Sequence, residues 1–317
     1  MDGAALGDGS DVPAPGAAAS RRRGSRSRRE RLEARVGLAL VSPAIAMVAV
    51  FILFPLGFCV YISLTNWPLI GPYHFVGLAN YTALPHDSVF VQSIVFTLEY
   101  TAIVTLPILV FGYLMAVFVR SNRPGASIFR TCMFLPYIVG LTTLSFLAEV
   151  ELQPGYGTAN VILSKLHLAS INTIWVQNAN LALAAICVLV VWLASGFTMM
   201  LLLAGMQGVP EQLYESADVD GASWWEKERL VTIPLLRRSI ALSLIISVVG
   251  SILAFNQFFI ITDGGPGTST VSLVMEMYET FNTAMHVGAA SAMAVVLIVV
   301  VGLITFVQFR VLRSDDA

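Results

Sequence analysis

Six stretches of this chain are apolar for long enough to cross a membrane: residues 36–65, 94–119, 128–148, 181–206, 239–262 and 284–307. A helix spanning the hydrocarbon core needs roughly 20 mostly apolar residues, because each backbone amide must be satisfied inside its own helix. Transmembrane strands need only about 10 alternating residues, so runs of this length predict an all-α protein with six transmembrane helices. The longest connection on the basic side, 207–235, has a pattern of its own. Pro210 suits the first position of a helix and Glu211 favours its positive end. Leu213, Tyr214 and Ala217 share one face, and Gly221 supplies a left-handed stop. A second helical stretch follows from Ala222 to about Leu230 and is expected to end before Pro234, which disfavours helical geometry at Ile233. Trp224 and Trp225 suit the lipid interface.

Composition agrees with a bilayer: 56% of residues are hydrophobic and only 12% charged. Short loops rich in Lys and Arg stay in the cytoplasm. Arg21, Arg22, Arg23, Arg26, Arg28, Arg29, Arg31 and Arg35 precede the first span. Arg120, Arg123 and Arg130 surround the connection between spans two and three. Lys227, Arg229, Arg237 and Arg238 mark the 207–235 connection and its exit, and Arg310 and Arg313 follow span six. With both termini cytoplasmic, 17 of the 18 basic residues lie inside, and Lys165 alone lies outside. The first run has about 30 uncharged residues, against roughly 7 to 15 for the apolar region of a cleavable signal, so it reads as an uncleaved span. The expected organisation is a disordered, Arg-rich tail over 1–35, a transmembrane domain over 36–312 and a short cytoplasmic tail over 313–317. Lipid headgroups and topology control account for the arginine run, and no nucleic-acid partner is expected.

Candidate chemistry is sparse. Cys59, Cys132 and Cys187 sit in predicted spans without CxxC spacing, and His74, His86, His167 and His286 are scattered, so neither a disulfide framework nor a metal site is indicated. No Gly-Lys pair exists anywhere, which excludes the usual phosphate-cradling loop. No catalytic residues are assigned, and the chain reads as a transporter subunit rather than an enzyme. A proton- or ion-driven carrier would hold several ionisable groups inside its spans, and Glu99 is the one clear case, with Glu149 and Glu151 at a span boundary. An ion-gradient-driven secondary sugar carrier is the alternative reading. A buried carboxylate at 99 would need a partner, so Glu99 is kept as a solute or conformational contact.

Glu215-Ser216-Ala217, then Gly221, then Val231-Thr232-Ile233-Pro234 resembles the Glu-Ala-Ala loop of binding-protein-dependent importer permeases, with Ser in place of the first Ala. Phe75-Val-Gly-Leu-Ala-Asn-Tyr81 resembles the outer segment of the carbohydrate branch, and Asn256 to Pro266 resembles the end of its fifth span. Gly288 and Ala289 to Ala292 continue the match, with small residues that allow close helix packing.

The resemblance implies a type I ABC importer permease fold in the bacterial inner membrane. It implies a heterodimer with a second permease, two ATP-binding-cassette subunits that carry the ATP and Mg, and an extracytoplasmic sugar-binding protein, all in contact with membrane lipid. No cofactor is implied on this chain. It further implies that Glu215, Ser216, Ala217, Asp220, Gly221 and Pro234 couple to the ATPase. Solute contacts are implied in the spans flanking the loop, at Trp192, Ser195, Phe197, Ser251, Asn256 and Gln257, although Ala254 is apolar where the maltose-type relative is polar.

Overall fold

The computed structural model describes Glu33, residues 35–120 and residues 124–313, with the backbone alone for Leu312 and Arg313. The arginines at 21–31, Arg123 and the 314–317 segment, and with them most of both expected tails, lie outside the described residues. Two units are distinguished, residues 1–58 and 59–317. The described part of the first belongs to helix α1, Arg35–Ser63, which contains a π-helical turn at Ala49–Leu53 and an i,i+4 stack of Phe54 on Phe58.

The second unit is built on α2, Ser88–Arg120. Phe96, Tyr100, Val104 and Ile108 recur every fourth residue, and this spacing puts them on one face. All four are buried, against Ile186 and Val190 of the long helix α6 (Ala179–Gln207). At the end carrying Arg120, Ala116 and Val119 of α2 meet Met199, Leu202, Leu203 and Met206 of α6. Between them in sequence come α3 (Ala126–Val139), α4 (Leu141–Glu151) and a short helix α5 (Thr158–Lys165). After α6 follow α7 (Glu211–Val219), α8 (Trp224–Leu235), α9 (Arg237–Ile252), α10 (Asn256–Ile261), α11 (Leu273–Asn282) and α12 (Val287–Arg313). Among the described residues the regular structure is helical, with isolated β-bridges at Thr65–Phe75 and Pro68–His286. Four helices are long and apolar enough to cross a membrane, and six if each of two bent pairs counts as one span.

Three sequence expectations need correction. The third span is not one rod: α3 and α4 meet at 93° around Gly140, whose φ of +90° a residue with a Cβ adopts only under strain. The fifth span was expected to run unbroken over 239–262, yet α9 stops at Ile252 and α10 starts at Asn256. The break is stitched from α11: the Ser272 hydroxyl donates to the Ala254 carbonyl at 2.6 Å while it caps α11 by accepting from the Met275 amide. Thr97 of α2 accepts from the Leu273 amide at 2.9 Å. Finally, α8 does not end before Pro234. Its turn Glu228–Thr232 is π-helical, and Ile233 keeps helical φ and ψ of −59° and −46°. The wider turn, closed by the Ile233 amide on the Glu228 carbonyl, carries the helix past a proline that an ordinary α-turn resists.

Small residues set the closest helix approaches. A methyl on Gly288 would collide with the Thr65 carbonyl, and one on Gly196 with the Met133 carbonyl of α3. Gly196→Ala is therefore expected to destabilise the protein by about 1–3 kcal/mol. Gly250→Ala, whose methyl meets nothing, should leave Tm unchanged or slightly raised; thermal melts of the two variants in detergent check this.

On α11, outside the apolar spans, Glu276 is nearly buried and accepts from Thr280 Oγ1. Burial raises its pKa above the ordinary carboxyl value, with the neighbouring acids Asp87 and Glu279 adding to the rise. The folded state then holds the proton more tightly than the unfolded chain, so stability is fullest below the unfolded pKa and falls as pH rises towards the folded one. Glu276→Gln should accordingly raise Tm at pH 8 and leave it nearly unchanged at pH 4.

Candidate functional site

Two regions of the second unit gather the side chains picked from the sequence. The first is the 207–235 connection. Helix α7 begins at Glu211, one residue later than expected, because Pro210 is extended (ψ 133°) and stands at the N-cap rather than at the first helical position. It ends in a Schellman turn, the Ala222 amide donating to the Ala217 carbonyl and the Gly221 amide to the Asp218 carbonyl. Gly221 has φ +71° at that turn. Glu215, Ser216, Asp220, Gly221 and Pro234 are exposed and Ala217 is half-buried. Ser216 is occupied locally, its hydroxyl donating to the Gln212 carbonyl. Leu213 and Val219 are exposed too, Val219 at 89%, so α7 presents an apolar and acidic face.

Helix α8 starts with a capping box. The Ser223 hydroxyl accepts from the Glu226 amide, and the Glu226 carboxylate accepts from both the amide and the hydroxyl of Ser223. Those hydrogen bonds hold the Glu226 carboxyl below its usual range. Lys227 of α8 pairs with Asp218 of α7 at 2.6 Å.

The second region is a cavity of about 480 Å³ between α2, α3 and α6. Its wall includes Ile103, Pro107, Phe111, Met133, Trp192 and Ser195. Pro107 has no amide to donate to the Ile103 carbonyl, so the α2 ladder lacks one bond at this wall. Trp192 is 48% exposed and Ser195 only 1%, its hydroxyl without a hydrogen-bond partner. The other picks do not converge here. Phe197 stacks on Tyr137 with centroids 4.6 Å apart. The Ser251 hydroxyl turns back to the Ser247 carbonyl at 2.7 Å. Gln257 is buried and donates to the Tyr100 hydroxyl at 3.1 Å, while its Oε1 has no partner. Asn256 is half-buried at the start of α10. Glu99 is exposed rather than buried, so the premise that it needs a partner inside the chain falls. It lies one turn along α2 from Ile103, on the same face as that part of the cavity wall.

The family described as "Binding-protein-dependent transport system inner membrane component" matches residues 100–314. This chain belongs to that family. A probable ABC transporter permease of Pyrococcus horikoshii is 34% identical over 84% of this chain and 92% of its own length. The trehalose/maltose transport system permease of Thermococcus litoralis is 30% identical over 89% and 95%. The sulfoquinovosyl glycerol transport system permease of Agrobacterium fabrum is 31% identical over 89% and 91%. Among solved structures, a bacterial alginate ABC transporter in complex with an alginate pentasaccharide-bound periplasmic protein superimposes with a TM-score of 0.80 at 19% identity, covering 90% of this chain and 97% of that one. That likeness fixes the fold, an importer permease fold.

As an inner membrane component the chain is a multi-pass membrane protein, and the family is one of transport components rather than enzymes. The matched region contains every picked residue except Glu99. One cluster at the base of this permease escaped the sequence reading: Tyr113, Arg120, Tyr214 and Glu228. Glu228 alone carried a readable signal, an acid placed among Trp225, Leu230 and Val231 on a short helix.

Proposed function

We propose that this chain is the transmembrane permease subunit of an ATP-binding-cassette importer, moving a sugar or related polyol inward with energy from a separate ATPase. The observation that carries the reading is the exposed helix α7. It follows the long helix α6 directly, is turned at Gly221 into α8, and carries the Glu215-Ser216-Ala217 segment at its surface. A short amphipathic helix fixed in this way suits a groove in a partner protein. In this reading Glu215, Ser216, Ala217, Asp220, Gly221 and Pro234 form the contact with the ATPase. ATP and Mg bind on that partner, since this sequence has no phosphate-cradling loop. A second permease faces this one, an extracytoplasmic binding protein delivers the solute, and the 207–235 connection lies in the cytoplasm.

A carbohydrate-like solute is favoured by the names of the relatives, which include transport systems for trehalose/maltose and for sulfoquinovosyl glycerol. Trp192 offers an aromatic face and Ser195 a free hydroxyl in the same cavity. Glu99, Phe197, Ser251, Asn256 and Gln257 are the further proposed contacts, outside this cavity, and Gln257 Oε1, like the Ser195 hydroxyl, is a buried acceptor without a partner. Energetically the cycle needs only that ATP and solute prefer different conformations.

Extraction of the tagged chain in mild detergent should recover a second permease and a Walker-motif ATPase, and Gly221→Asp, which places a Cβ at a φ of +71°, should lose the ATPase while keeping the permease. A chain recovered alone would return the reading to a gradient-driven carrier. In vesicles loaded with ATP and supplied with the binding protein, uptake from a panel of labelled mono-, di- and oligosaccharides should fall about tenfold in Trp192→Ala. Undiminished uptake of every sugar by that variant would remove Trp192 from the path.

A further inference from the structure

Glu228 is the most heavily shielded acid in the 207–235 connection, with 5% of its surface exposed. An unpaired carboxylate in such a place is costly, so its partners define what it holds. They come from α2. The Tyr113 hydroxyl donates to Glu228 Oε2 at 2.5 Å, and Arg120 Nη1 lies 3.8 Å from Glu228 Oε1. The same Arg120 guanidinium sits 4.1 Å above the ring of Tyr214, on α7. Tyr214 reaches back with its hydroxyl to Thr232 Oγ1, at 3.0 Å, in the π-helical turn that contains Glu228. The circuit is closed. It runs from the end of α2, through one guanidinium, to both arms of the helix-turn-helix.

Geometry distinguishes this circuit from ordinary surface pairing. The Lys227–Asp218 pair also bridges α7 and α8, but its Asp218 side chain is 60% exposed, where pairs contribute little. The Arg120 circuit has a buried acid at its centre and joins three elements rather than two. Two of its bonds depend on the planar, multi-donor guanidinium, which can face a carboxylate and an aromatic ring at once; a lysine cannot reproduce that. A cleft of about 270 Å³ lies beside it, lined by Val117, Arg120, Tyr214, Trp224, Lys227 and Glu228.

We infer that Tyr113, Arg120, Tyr214 and Glu228 form a latch that makes the docking helix α7 move as one body with α2, whose opposite face carries the Ile103–Phe111 wall of the cavity. These are positioning residues: none of them touches the solute, and none needs to touch the ATPase. Displacement of α7 by the ATPase reaches the cavity wall through the guanidinium, because α2 is continuous from Arg120 back through Pro107. The inference rests on the coupling role proposed above for α7.

The test uses the complete complex in nanodiscs, with Cys59, Cys132 and Cys187 replaced by Ala. Spin labels are placed at Gln212, at the start of α7 and outside the proposed ATPase contacts, and at Leu106 on α2, both exposed. The wild-type distance distribution should be narrow and unchanged when the ATPase is trapped with ATP and vanadate. Glu228→Ala and Tyr214→Leu should both broaden it and make it shift on trapping. Tyr214→Phe, which keeps the ring under Arg120 and gives up only the hydroxyl link to Thr232, should stay close to wild type and well short of Tyr214→Leu. A role confined to stability would lower Tm in these variants without separating the Leu and Phe substitutions. Distances unchanged in Glu228→Ala, or Tyr214→Phe as broad as Tyr214→Leu, would overturn the latch while leaving the coupling role intact. Absence of any ATPase from the wild-type preparation would overturn the coupling role, and the latch with it.

Discussion

A helix in hydrocarbon satisfies its own amides, and every interruption inside an apolar run leaves carbonyls and N–H groups that must find partners in the protein. This chain interrupts its apolar runs twice, and the architecture of the second unit follows from how each break is satisfied. At 253–255 the burden falls on Ser272 and Thr97, which tie the freed Ala254 carbonyl and the Leu273 amide to α11 and α2. Helix α11 is therefore part of the means by which the fifth span can break. The break in turn sets the start of α10, where Gln257 enters the core and meets Tyr100. At Gly140 the left-handed backbone turns the chain through nearly a right angle, and α4 packs against α10 on the far side of the bend. The two discontinuities thus support one another.

The same constraint in electrostatic form governs the opposite end. A carboxylate cannot be withdrawn from water without a donor or cation in reach, and Glu228 obtains both from α2. Burial of one acid consequently fixes the angle at which α7 and α8 leave the membrane unit. Hydrophobic packing of Leu236 beneath α6 supports the same geometry but specifies it less, since apolar contacts tolerate sliding where a guanidinium does not. A rigid base beneath an exposed helix is what a docking element requires: the surface at Leu213, Glu215 and Val219 is presented without being held by contacts of its own.

Much of this was legible in the sequence. Span number and approximate position follow from run length, because hydrocarbon thickness fixes helix length. The helix-turn-helix at 207–235 was readable from Pro210, Glu211 and Gly221, each acting through backbone geometry that is local in sequence. What escaped was non-local or subtle. One glycine among apolar residues does not announce a 93° bend, since Gly196 and Gly250 sit within unbroken helices. Pro234 suggested a stop, but a π-turn, unreadable from propensity, let the helix continue. The Tyr113–Glu228 contact joins residues 115 apart. Ser251 and Gln257 are implied as solute contacts by the resemblance, yet only the fold decides that the first turns back on its own helix and the second points at Tyr100. Glu99 was read as buried because its run is apolar, and a helix with one face on a core has another face free of it.

The cavity beside α6 bears on how a polar solute could pass such a wall. Its lining is apolar save for the Ser195 hydroxyl, the Cys187 thiol and the indole of Trp192, and a hydroxyl-rich solute stripped of water needs more donors and acceptors than these. The cavity wall of this subunit thus supplies a stacking face and a single free hydroxyl, half of a site at most. The missing hydrogen bonds have to come from a surface opposite, and a second permease across the path is the arrangement that supplies them without breaking another helix. An aromatic and aliphatic wall also binds weakly in the absence of that surface. Such weakness favours release once the two halves separate, so a pathway split between subunits couples solute affinity to their closure.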